Sequence, residues 1–352
     1  MQIPDALSPG KYRRLKRLSD AADRFSMLAV DQRGSLRRMF AREHGTEPTE
    51  VAPDRLQQVK RVVTQAVAPL VSGLLTDPLY GYPASIDVLP ASTGVLLSGE
   101  QTGYVAAGED ERRTRLLEAW SPRRALRSGG DAIKLLVYHH PDASEETHRH
   151  EQEIVASMGE ACEEAGMPFI LEVVTYPMGE AARTPAVQAR RKPELVADAA
   201  KTFSDPAYKV DVLKLEFPAN LRFVDAYQDA PFGAGEAVYD RKTVEQACER
   251  LDRAAGVPWV ILSSGVGIDE FIETLKFAND AGASGFLCGR AVWKDIVRYA
   301  PNEREMRHFM AEVGTGRVER LLDANESARA WTDHPKYQSR AAPAGTDPFT
   351  TG

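Results

Sequence analysis

Four charged side chains interrupt apolar, strand-like runs in this chain. They are Asp31 in Ser26-Met-Leu-Ala-Val-Asp31-Gln32-Arg33-Gly34, Lys134 in Asp131-Ala-Ile-Lys134-Leu-Leu-Val-Tyr138, Glu172 in Pro168-Phe-Ile-Leu-Glu172-Val-Val-Thr-Tyr176, and Lys214 in Val210-Asp-Val-Leu-Lys214-Leu-Glu216-Phe-Pro218. Two of each sign point to one interior cluster whose charges neutralise one another, because an unpaired buried charge costs several kcal/mol. A network that merely filled space would be a poor choice against apolar packing, so the cluster reads as chemistry. A free lysine titrates at about 10.4, and a neighbouring cation with partial burial lowers that value until the amine is a neutral nucleophile. Such an amine attacks a ketone and forms an iminium, an electron sink that lets a nearby carbon-carbon bond break once a base takes the proton of the departing hydroxyl. Glu172 is the best-placed carboxylate for that proton. Spacing leaves open whether Lys214 or Lys134 is the nucleophile, with the other lysine depressing its pKa.

Two further strand ends offer an anion site. Ser263-Ser264-Gly265-Val-Gly267 and Cys288-Gly289-Arg290 both finish an apolar run with glycines that expose backbone N–H groups and lead into a helix N-terminus, and Arg290 adds a forked cation. Ser264, Gly265, Gly289 and Arg290 are therefore candidate phosphate ligands. Cys288 reads as a small core side chain. A metal-assisted alternative needs several histidines at strand ends, and only His139 and His140 follow a strand, so no metal and no cofactor is expected. Those two histidines read as rim residues within reach of substrate.

The elements that must position these groups follow from periodicity. On the Lys214 strand Val212, Lys214 and Glu216 share one face and Leu213, Leu215 and Phe217 the other, so the second face lies under helices and the first points into an enclosed polar place. Further strands are expected at 73–81, 94–100, 258–265 and 285–290, making eight with the four above. Amphipathic helices are expected at about 53–70, 144–165, 193–203, 243–255 and 268–281. Eight buried strands alternating with helices specify a (β/α)₈ barrel, a TIM barrel of the α/β class, with chemistry at the carboxyl ends of its strands. No Gly-x-Gly-x-x-Gly follows the first strand to support a dinucleotide-binding open sheet. One or two helices follow Ala300. The expected organisation is a helical arm over 1–20, a single barrel with C-terminal helices over 21–335, and a disordered tail over 336–352. The basic run from Lys11 to Arg17 reads as a solvated face.

Composition sets the class. The 352 residues are 43% hydrophobic and 27% charged, as in soluble globular proteins, and the net charge of -7 argues against a nucleic-acid binder while leaving room for a local basic pocket. Three widely spaced cysteines fit no disulfide framework or zinc pattern, and there is neither a signal-peptide core nor an apolar stretch long enough for a membrane span. A cytoplasmic enzyme is expected, with no membrane and no nucleic-acid partner; the sequence leaves a homo-oligomer open.

The motifs Leu28-Ala-Val-Asp-Gln-Arg-Gly34, Asp77-Pro-Leu-Tyr-Gly81, Glu100-Gln-Thr-Gly-Tyr104, Asp131-Ala-Ile-Lys-Leu135, Leu171-Glu-Val-Val-Thr-Tyr176, Val210-Asp-Val-Leu-Lys-Leu-Glu216 and Cys288-Gly-Arg-Ala291, in this order, resemble the class I tagatose 1,6-bisphosphate aldolases, a family that includes sulfofructosephosphate aldolases. The resemblance spans roughly residues 10–330. It implies a (β/α)₈ barrel that cleaves a ketose (bis)phosphate to dihydroxyacetone phosphate and a three-carbon aldehyde. It selects Lys214 as the Schiff-base lysine, Glu172 as acid/base, Asp31, Gln32 and Lys134 as their partners, and Ser264, Gly265, Gly289 and Arg290 as the anion turns. Gln101 stands where a lysine is expected in the sugar-phosphate members, and Tyr138-His-His140 replaces a more acidic stretch; both concern the far end of the substrate. A sulfonated ketose phosphate and a non-catalytic sugar-phosphate-binding barrel are the alternatives.

Overall fold

A computed structural model of the chain describes residues 7–179 and 181–338. Eight parallel strands close into a barrel: β1 (Phe25–Ala29), β2 (Gly73–Thr76), β3 (Gly94–Ser98), β4 (Ala132–His139), β5 (Phe169–Thr175), β6 (Val212–Leu215), β7 (Trp259–Ile261) and β8 (Gly285–Cys288). Each strand pairs with its neighbours in sequence, and β8 returns to β1 through Phe25↔Gly285 to Leu28↔Cys288. The expected (β/α)₈ barrel is therefore the fold, and all eight expected strands are in it. Among the described residues no helix is long and apolar enough to cross a membrane.

The period-two alternation sorts each strand. Leu213 and Leu215 of β6, Leu171 and Val173 of β5, and Ile133 and Leu135 of β4 belong to the large apolar cluster beneath the surrounding helices. Val212, Ile170 and Ala132 point inward and join Met27, Leu96, Val260 and Leu287 in a separate apolar plug. One inward step further along these strands come Lys214, Glu172 and Lys134, so the charged cluster sits directly above a dry floor.

The helices match closely where the sequence carries caps. The 145–165 helix starts at Ser144, whose Oγ accepts from Thr147 N at 3.3 Å, and ends at Gly166 in a left-handed conformation with φ of 59°. The 268–281 helix has its expected limits. The helix expected at 193–203 begins two turns earlier, at Pro185, and carries Pro193 inside it. Beyond Asn302 the chain forms one continuous helical run through a π turn at 310–314. A two-stranded hairpin, Val105–Ala107 with Glu111–Arg113, is inserted between β3 and β4.

The floor is closed from outside the barrel. The basic run forms the expected helix, Pro9–Arg17, but it is not simply a solvated face. Leu15 and Leu18 enter the plug, and Lys11 is buried with its Nζ 3.0 Å from Asp211 Oδ2 and 2.7 Å from Glu163 Oε2. Part of the expected tail is also packed: Tyr337 is buried and donates to the Asp211 carbonyl at 3.0 Å, and Lys336 Nζ donates to the Val210 carbonyl at 2.6 Å. Residues 339–352, the rest of that expected tail, lie outside the described residues. The 9–17 helix and residues 336–337 thus clamp the start of the Lys214 strand. Trp331 completes the plug, fully buried against Phe25 and Tyr337 with its indole N–H 3.2 Å from Ser19 Oγ. Trp331→Ala is expected to cost about 3–5 kcal/mol in urea unfolding, the usual penalty for removing a buried large aromatic.

Candidate active site

Strand register brings the four charged residues together. Lys214 and Glu172 are Cα partners across β6 and β5, and Glu172 is in turn the partner of Leu136 on β4, two residues beyond Lys134. Asp31 follows β1 with the same inward phase as Met27 and Ala29. Lys134 Nζ lies 2.8 Å from Asp31 Oδ2, 2.7 Å from Glu100 Oε1 and 3.1 Å from Glu172 Oε2. Lys214 Nζ lies 2.9 Å from the same Glu172 Oε2, so one carboxylate oxygen bridges the two ammonium groups.

The electrostatics follow from this packing. Burial works against charge on Lys134, but Asp31, Glu100 and Glu172 override it and hold its pKa well above the ordinary lysine value. Burial likewise opposes ionisation of Glu172, and Lys134 with Lys214 more than offsets it, keeping that carboxyl below its usual range. Asp31 is pulled down in the same way by Lys134 and Lys214. The expected lowering of a lysine pKa by its neighbouring lysine does not describe Lys134: the carboxylates outnumber the cation beside it. Lys134 is a fixed ammonium, while Lys214 has a single carboxylate ion-pair partner among the described residues.

Glu100, beyond the end of β3, belongs to a motif legible in the sequence but has a role that only the structure assigns. Its Oε1 holds Lys134, its Oε2 accepts from Leu136 N at 3.1 Å, and its carbonyl accepts from Arg33 at 2.6 Å. A second layer fixes the loop carrying Asp31. Lys60 is buried, pairs with Asp77 Oδ2 at 2.8 Å and donates to the carbonyl of Val30. Nothing local in the sequence marks Lys60, since its partners are contributed by two other segments.

Above the cluster opens a cavity of about 350 Å³, walled among others by Asp31, Gln32, Arg33, Arg38, Lys134, Tyr138, Glu172, Glu216, Ser264 and Arg290. Lys214 lies just beneath this wall, behind Glu172, and is 3% exposed. Gln32 Oε1 is buried without a partner among the described residues, an acceptor aimed at no protein donor. The two anion turns meet at one side. Gly265 has φ of 83°, and a side chain there would touch the Arg290 guanidinium at 3.1 Å. Gly289 has no room for a side chain either, because Cβ would lie 2.5 Å from the Ala29 carbonyl. Ser264 adopts a left-handed φ of 47°, uncommon for a non-glycine residue and typical of loops shaped for a ligand. Burial, with Arg38 nearby, lowers the proton affinity of Arg290, so an anion here would be welcome to both arginines.

The histidines lie elsewhere than expected. His139 is not a rim residue: Tyr138 takes the inward phase, so His139 points outward from β4 and is buried between Glu151 Oε2 at 3.1 Å and Asp198 Oδ2 at 2.9 Å. Burial opposes its protonation, but those two carboxylates raise its pKa above the usual value. His140 is also buried and walls a different cavity. Cys288 is a buried core side chain whose thiol burial pushes up strongly. Among the described residues no group of three or more His, Cys, Asp or Glu side chains is arranged to hold a metal ion.

A parallel barrel with ion-paired lysines and carboxylates at the carboxyl ends of its strands is the architecture of a lyase of the aldolase type, and the comparisons agree. The sequence model of the DeoC/LacD family aldolases matches residues 25–295. The tagatose 1,6-diphosphate aldolase of Lactococcus lactis subsp. lactis is 34% identical over 332 residues, covering 93% of this chain and 99% of its own length. That of Streptococcus pneumoniae serotype 4 is 37% identical over 333 residues with the same coverage. A solved fructose-bisphosphate aldolase from Plasmodium falciparum superposes with a TM-score of 0.66 over 94% of this chain and 99% of its own, at 15% identity, a likeness of fold alone. The chain belongs to the DeoC/LacD family of aldolases.

Proposed function

We propose that the protein cleaves tagatose 1,6-bisphosphate, reversibly, to dihydroxyacetone phosphate and glyceraldehyde 3-phosphate through a Schiff base on Lys214. The observation that carries this reading is the asymmetry between the two buried lysines. Lys134 is held as a cation by three carboxylates, whereas Lys214 needs to give up a proton to only one partner, Glu172, 2.9 Å away.

The steps follow from that geometry. Glu172 takes a proton from Lys214, and the free amine adds to the C2 ketone. The same carboxyl returns the proton to the carbinolamine hydroxyl, which leaves as water and gives the iminium. Glu172 next accepts the proton of the C4 hydroxyl as the C3–C4 bond breaks, the electron pair of that bond passing into the iminium as an enamine. Protonation of the enamine at C3 and hydrolysis release dihydroxyacetone phosphate. Lys134, itself held by Asp31, keeps Glu172 charged and oriented in the resting state, and Gln32 offers an acceptor to a substrate hydroxyl. The C1 phosphate is placed on Ser264, Gly265, Gly289 and Arg290, where glycine backbone and a forked cation converge.

The names carried by the relatives support tagatose 1,6-bisphosphate as the substrate. The sulfonated ketose has no geometric feature in its favour, and the intact pairing of Lys214 with Glu172 speaks against a silent binding barrel. The test is a coupled assay for dihydroxyacetone phosphate with tagatose 1,6-bisphosphate in the presence of a chelator. Steady release is expected; no release from a folded sample overturns the proposal. Gly265→Ala is expected to raise KM about tenfold or more with a smaller change in kcat, because the left-handed backbone there costs about 1–2 kcal/mol with a side chain and the added methyl displaces Arg290.

A further inference from the structure

Behind Glu216 lies a second cavity, of about 180 Å³, bounded by the ends of β4, β5 and β6 and by the 185–202 helix. Of the residues that build the reaction centre only Glu216 borders both cavities; Asp31, Lys134, Glu172, Ser264 and Arg290 do not reach this one. Its polar wall consists chiefly of donors. His140 is 1% exposed, and its Nδ1 accepts from the backbone N–H of Asp142 at 3.1 Å. The neutral ring therefore carries its proton on Nε2, which has no hydrogen-bond partner among the described residues. Burial also lowers the pKa of this ring, favouring that neutral form. A buried N–H without an acceptor is disfavoured unless something else supplies one.

The other groups on the wall ask for the same kind of partner. Among the described residues the carboxylate oxygen that Lys192 Nζ approaches is Glu216 Oε1 at 3.8 Å, too far for a hydrogen bond. Glu216 spends its other oxygen on Thr175, from whose N–H and Oγ it accepts at 2.8 and 2.7 Å. Arg191 is occupied by Asp142 at 2.7 Å. Gln188 and Asn220 add side-chain amides to the wall, and Pro177, Pro185 and Leu195 add apolar groups to it.

We propose that this cavity is a second ligand site, for a small phosphate-bearing anion that accepts from His140 Nε2 and Lys192 Nζ and lays any short carbon chain against the apolar lining residues Pro177, Pro185 and Leu195. The site is separate from the one assigned to the substrate's C1 phosphate, and it does not depend on which reaction the protein catalyses.

The test uses the full-length protein with histidines labelled at Cε1, the His140 resonance being assigned with His140→Gln. Inorganic phosphate, and in a second arm glycerol 3-phosphate, is titrated at a pH where the ring is neutral. A saturable shift of the His140 signal in the millimolar range is expected. Lys192→Met is expected to weaken it at least tenfold, while Arg290→Met, which removes the anion ligand of the reaction centre, leaves it unchanged. A tighter response to the ester identifies the carbon chain as part of the ligand, and equal responses identify free phosphate. An unmoved His140 signal in the parent protein overturns the proposal, as does a shift lost with Arg290→Met and kept with Lys192→Met.

Discussion

A Lys214→Met protein is expected to lose cleavage by at least about 10⁴-fold, the scale on which removal of a covalent nucleophile acts. It is also expected to gain no mass when incubated with dihydroxyacetone phosphate and borohydride. The parent protein gains one reduced adduct under the same conditions, read by intact mass. Methionine keeps the apolar stem of the lysine and ends one atom short of the ammonium, and Glu172 retains Lys134 at 3.1 Å, so the cluster loses one cation without stranding its central carboxylate. The substitution thereby separates chemistry from folding. An adduct that persists in Lys214→Met, carried by Lys134, would reverse the roles of the two lysines and with them the argument from their partners. No adduct in the parent protein would remove the Schiff base altogether.

The legibility of this site in the sequence depended on how each side chain is held. Parallel strands are buried on both faces, so they read as apolar runs, and a charge inside such a run stands out, as Asp31, Lys134, Glu172 and Lys214 do. The same alternation that places Tyr138 inward sends His139 outward, away from the rim. Glu100 lies just past the regular part of β3, where no apolar run frames it. The 105–113 hairpin is exposed or half-buried and three residues per strand, too short and too polar for a period-two signal; it is held by Arg112, whose guanidinium lies 4.6 Å from the Tyr104 ring and 5.1 Å from that of Tyr176. Lys11 looked like part of a solvated charge run because its partners, Glu163 and Asp211, come from far along the chain. Burial through non-local ion pairs leaves no local trace.

Lys134→Met tests the electrostatic half of the site, and its effect is on stability as well as rate. Removing the cation leaves Asp31, Glu100 and Glu172 facing one another in a buried space, with Lys214 and Arg33 beside them and Lys60 and Arg290 further cations within electrostatic reach. Breaking a buried ion pair from one side typically costs about 3–5 kcal/mol, and that is the expected loss at neutral pH by urea unfolding. The pH dependence gives the cause away. In the parent protein Asp31 and Glu172 have folded-state pKa values below their unfolded ones, so their contribution is complete above the unfolded carboxylate range and is lost only as pH falls through the depressed values. Lys134, raised in the folded state, contributes fully below the unfolded lysine value and loses that contribution only as pH rises through its own higher one. The cluster should therefore leave parent stability flat from about pH 5 to about pH 10. Without Lys134 the sign reverses for the carboxylates: their folded pKa values rise above the unfolded ones, the folded state binds protons more readily, and acidification from pH 7 towards pH 5 stabilises the variant. The gap between the two proteins should narrow by about 1.4 kcal/mol for each pH unit over which one carboxyl takes up its proton in the folded state alone. A gap that stays constant over that interval would mean that Lys134 acts by packing, and that the three carboxylates around it find their compensation elsewhere.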